Sequence, residues 1–144
     1  MQNTGLLRRI AAMLYDALLV AALLFLATVP FIAVRRGEPV ETGDNLLYRA
    51  VLFAVVFAFF VGFWSRSGRT LGMQSWGLQL ETADGRIPSV ATASLRFFAA
   101  LVSLLPLGLG YLWQIWDPQK LTWHDRISKT RLVYYPRDKT RAKE

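Results

Sequence analysis

Apolar residues in this chain come in long blocks, not in the short alternations of a water-soluble core, and three blocks dominate. Residues 10–34 give 25 positions with Asp16 as the one charge, residues 46–64 give 19 with only Arg49, and residues 97–116 give 20 with none. A hydrocarbon slab roughly 30 Å thick needs about 20 helical residues rising about 1.5 Å each, so every block is long enough to span it. The pattern predicts an all-α integral membrane protein: helix 1 at about 10–34, helix 2 at about 46–64 and a third apolar segment at about 91–116. Arg8 and Arg9 ahead of helix 1 have the look of a secretory signal. The run is too long for a signal's apolar region, and it carries Asp16, so it is expected to stay as a transmembrane helix.

The segments between the blocks add a small β element. In the surface loop at residues 65–90, Leu78-Gln79-Leu80-Glu81 alternates apolar and polar before Asp84-Gly85, which fits a short strand running into a turn. Arg131-Leu132-Val133-Tyr134-Tyr135 is a second strand candidate, in the basic tail at residues 117–144. If the two pair, they lie on the same side of the membrane.

That condition bears on the third block, where Pro106-Leu107-Gly108-Leu109-Gly110 interrupts the helix midway. The block is either a kinked third span or a re-entrant hairpin of two half-length pieces. With a hairpin, every one of the 17 Lys and Arg residues except Arg35, Arg36 and the helix-borne Arg49 and Arg96 falls on one side. This agrees with the positive-inside tendency better than three full spans do, and favours two spans plus a hairpin. Pro30 predicts a kink or early exit at the far end of helix 1, Trp64 reads as an interfacial belt residue closing helix 2, and Arg49 is placed to snorkel.

Composition narrows the function. The net charge of +7 comes from residues flanking the apolar blocks, so anionic head groups of a bilayer, not nucleic acid, are the expected partner. Absence of cysteine removes disulfides and thiolate metal ligation. No nucleophile, base and orienting group occur together, so neither an enzyme nor a cofactor is expected.

The candidate chemistry lies in buried charges. A carboxylate within a spanning helix is costly and is kept for a partner, a polar cavity or an ion path, which makes Asp16 the leading candidate. Arg9 shares its helical face to within about 20°, but lies about 10.5 Å away along the axis and leans toward the N-terminus, away from Asp16. Depth matching gives Arg96, at the head of the third segment, as the expected ion-pair partner of Asp16, and leaves Asp125 or Asp117 for Arg8 and Arg9. His124 reads as an interfacial residue beside Trp123, without the second His or Cys a metal site needs. Gly68-Arg69-Thr70-Leu71-Gly72 lacks the Lys-Ser/Thr of a phosphate loop and reads as a tight turn.

In order and spacing these positions resemble the RDD family of small membrane proteins, named for one arginine and two aspartates. Arg9 and Asp16 in Arg9-Ile10-Ala11-Ala12-Met13-Leu14-Tyr15-Asp16 match the first two signature charges, and Asp125 in Leu121-Thr122-Trp123-His124-Asp125-Arg126 looks like the third. Gly68-Arg69-Thr70-Leu71-Gly72, Gly77-Leu78, Asp84-Gly85 and Pro88 resemble the family's middle segment. Met73 and Ser128-Lys129-Thr130 depart from its usual residues. The resemblance implies a multi-pass membrane protein, expected in the bacterial cytoplasmic membrane, where the charge count puts the N-terminus and basic tail on the cytoplasmic side. Its family-wide role is unsettled: ion or small-molecule transport has been proposed, and some members are linked to cation/proton antiport. So few spans would need several copies to enclose a path, so a homo-oligomer or partner membrane proteins are expected. An assembly or accessory module held together by Arg/Asp charges is preferred to a transporter that titrates Asp16.

Overall fold

A computed structural model describes residues 5–40 and 45–135. Residues 41–44 of the first loop and 136–144 of the basic tail lie outside them. Helix α1 is Leu6–Val34, so it begins early enough to carry Arg8 and Arg9, and of the kink or early exit expected at Pro30 the exit does not occur. Its three buried residues, Arg9, Ala12 and Asp16, are spaced by three and four and form one stripe, while Leu14, Leu18, Phe25 and Leu26 on the remaining surface are exposed. Helix α2, Leu46–Ser67, runs back beside it, and the Tyr48 and Thr28 hydroxyls meet at 2.9 Å between the two. Both helices are long and apolar enough to cross a membrane.

A short helix α3, Leu71–Ser75, follows, then strand β1, Leu78–Thr82. Helix α4, Val90–Leu104, and helix α5, Leu109–Leu112, which continues as a 3-10 turn over Trp113–Ile115, form a pair bent by 108°. The break falls at Pro106-Leu107-Gly108, where Leu107 and Gly108 take positive φ. Gly110 closes the bend, since a Cβ there would come within 2.7 Å of the Ser103 Cβ. Helix α6, Trp123–Ile127, and strand β2, Thr130–Tyr134, complete the described chain.

Strands β1 and β2 pair antiparallel, with Leu80 opposite Leu132 and Glu81 opposite Arg131. The two ends of the bent pair are therefore tied to one small sheet. The bend therefore brings the chain back toward the sheet it left, the shape of a hairpin and not of a straight helix. The phenylalanines of α2 explain how the hairpin is held: Phe57 meets Phe97 of α4 edge to face at 5.2 Å, and Phe53 and Phe60 flank the same ring. Below them Ala12, Val61, Trp64, Met73, Leu78, Leu80, Ala93 and Phe97 form the core that joins α1, α2 and α4 to the sheet. Trp64 differs from expectation. It turns inward and is buried, with the Arg96 guanidinium over its ring at 5.3 Å.

Candidate functional site

The polar interior is built at two places along the α1 stripe. At the upper one, Asp16 receives the Gly72 amide at 2.8 Å on one carboxylate oxygen and the Thr70 hydroxyl on the other. Thr70 is the N-cap of α3 and also accepts the Met73 amide, so the first turn of that helix has donors that its own residues do not fill. In an ordinary capping box the acidic residue stands three positions on in the same helix. Here a carboxylate 56 positions before Gly72 accepts a different first-turn amide, that of Gly72, together with the N-cap hydroxyl. Close approach is a condition of it: a Cβ on Gly72 would run into the Ala12 carbonyl oxygen and come within 2.8 Å of the Asp16 Cγ. The Gly68 to Gly72 segment is thus a cradle for Asp16, beyond the surface turn expected from its sequence.

The lower place is centred on Asp125, which is 0% exposed. As the third helical residue of α6 it completes a capping box with Thr122, taking the Thr122 amide at 3.0 Å. Its carboxylate also receives Arg9 at 3.1 Å and Arg96 at 2.5 Å, and Arg96 donates further to the Thr130 hydroxyl at 2.8 Å. One carboxylate so joins α1, α4, α6 and the start of β2. Burial by itself would raise the Asp125 pKa, but the Arg96 and Arg9 charges outweigh it and hold the group below the usual carboxylate range.

Arg96 is therefore not the partner of Asp16. Matching depth alone overlooked two things: uncharged donors on α3 already satisfy Asp16, and α6 carries Asp125 inward to meet Arg96. Of the partners expected for Arg8 and Arg9, Asp125 takes Arg9, whereas Arg8 lies over the Tyr134 ring at 3.7 Å and Asp117 pairs with Arg126. His124 is not an interfacial side chain either. It is buried beneath Tyr111, ring centroids 4.6 Å apart, with Nε2 2.9 Å from the Thr122 hydroxyl. Desolvation, helped by the nearby Arg96 charge, pushes its pKa down to about 3, so the ring is neutral near pH 7. Thr70 and Thr122 are the functional positions that sequence reading missed. Each is followed by a short helix, and a Thr N-cap pattern was the available signal.

Four buried charges, Arg9 and Asp16 on α1, Arg96 on α4 and Asp125 on α6, each bonded to a helix cap or to one another, form a set that spans nearly the whole chain. The family model described as the RDD family matches residues 4–129, so the chain belongs to that family. Neither a curated protein nor a solved structure gives a significant match.

Proposed function

We propose that this RDD-family membrane protein is an assembly or accessory module, a scaffold in the bacterial cytoplasmic membrane that presents its surface to other membrane proteins. The observation that carries the reading is that both oxygens of Asp16 are bonded to α3 and the carboxylate is closed off from solvent. A group that carries an ion must exchange its ligands, and Asp16 is committed to holding a helix. The Asp125 cluster supports the same reading, because it ties four elements together. The exposed Arg66, Arg86 and Lys129 flank the sheet in sequence and suit anionic head groups, which favours a cytoplasmic sheet, N-terminus and tail.

The test compares stability with transport. Asp125→Asn is expected to lower the folded amount more than Asp16→Asn, since it removes the anion that two buried guanidiniums share, at a cost of about 3–5 kcal/mol. Capture of partner proteins should fall in step with the folded amount, and proteoliposomes of the purified protein should show no cation-driven proton flux. Flux that Asp16→Asn abolishes at unchanged protein level would replace this reading with an oligomeric cation/proton transporter in which Asp16 titrates.

A further inference from the structure

Where the bent pair ends, Trp113, Trp116, Asp117, Pro118, Trp123 and Arg126 line an open cleft of about 410 Å³. Its chemistry differs from the basic surface around it. Asp117 accepts the Leu121 amide at 2.9 Å and pairs with Arg126, so the two charges in the cleft cancel. The Leu121 amide, with Arg126 behind it, keeps the Asp117 carboxyl below its usual range, so the carboxylate is present at neutral pH. Arg126 engages Asp117 through one guanidinium nitrogen, and its side chain is half exposed, which leaves donors facing outward. Trp113 and Trp123 stand 6.0 Å apart at 54°, and Trp116, 72% exposed, presents an indole to whatever fills the cleft. Indole faces attract cations, and indole N–H groups donate to ester and phosphate oxygens.

We infer that this cleft binds the headgroup of a zwitterionic phospholipid, the phosphate accepting from Arg126 and the indoles and the ammonium lying against the tryptophan faces. Position favours a lipid over a soluble ligand. The cleft lies where an apolar hairpin ends, beside α6, whose Asp125 is bonded to the head of α1. Because Asp117 offsets the Arg126 charge, the cleft is neutral overall and complements a headgroup that is neutral overall, whereas an anionic lipid finds no net positive charge there. The inference rests on the membrane embedding and not on the scaffold role, so the two fail separately.

The experiment is native mass spectrometry of the full chain released from mixed micelles holding equal phosphatidylethanolamine and phosphatidylglycerol. Phosphatidylethanolamine should be retained about fivefold over phosphatidylglycerol. Arg126→Gln should abolish the preference. Trp116→Ala, at a position 72% exposed, should lower it at an unchanged melting temperature, and Trp76→Ala, outside the cleft, should leave it as it was. Equal retention of the two lipids overturns the inference, as does a preference that survives both cleft substitutions. Soluble phosphoethanolamine binding as tightly as the lipid would overturn the lipid assignment.

Discussion

At the scale of single residues, Gly72 and His124 show how little slack the polar interior has. Gly72→Ala must part α3 from α1, because the new methyl meets the Ala12 carbonyl and the Asp16 carboxylate. The expected loss is about 3 kcal/mol, read as a lowered melting temperature in mild detergent. His124 gives a dependence on pH. Its folded pKa of about 3 lies below the ordinary value of 6.5, so the unfolded chain takes up a proton that the folded one refuses. Stability is full above about pH 6.5 and is lost as pH falls toward 3, by about 2 kcal/mol between pH 7 and 5. Melting curves at those two values should converge for His124→Gln. Asp125, also held down, adds its own loss only below the ordinary carboxylate range.

Among the elements, what was legible in the sequence was whatever depends on length and periodicity. The two spans, the broken third segment and the two strands all appear, because apolar block length, a Pro-Leu-Gly interruption and apolar-polar alternation are local properties. Arg9, Ala12 and Asp16 as one stripe could be read from spacing as well. The direction each charge faces could not. Asp16 finds an amide and a hydroxyl on a five-residue helix that has no hydrophobic pattern of its own, and Asp125 is brought inward by a capping box of similar size. Elements this short are placed by tertiary contacts, and the Arg96 to Asp16 pairing failed for that reason. The inward turn of Trp64 has the same origin, since its place at a helix end does not reveal that Arg96 will lie over its ring.

For the whole molecule the hairpin has a direct consequence for sidedness. The chain lacks cysteine, so single substitutions report cleanly. Asp84→Cys and Gln119→Cys, before and after the bent pair, should both react with an impermeant maleimide added from one side of sealed vesicles, and Glu38→Cys only from the other. Opposite labelling of positions 84 and 119 would make the third segment a full span. The tip of the bend is apolar and bare, with Leu107 96% exposed, as a segment dipping into lipid would require. The Asp125 junction, finally, orders events in time. Arg96 precedes its carboxylate by 29 residues and Arg9 by 116, which at about 5–20 residues per second leaves Arg9 without Asp125 for on the order of 6–23 seconds of synthesis. Until α6 emerges, the nascent chain holds two guanidiniums beside a bilayer with no Asp125 between them. A stretch translated late thus closes the junction on a helix translated early, and the α1, α4 and α6 contacts through Asp125 can form only after α6 has emerged.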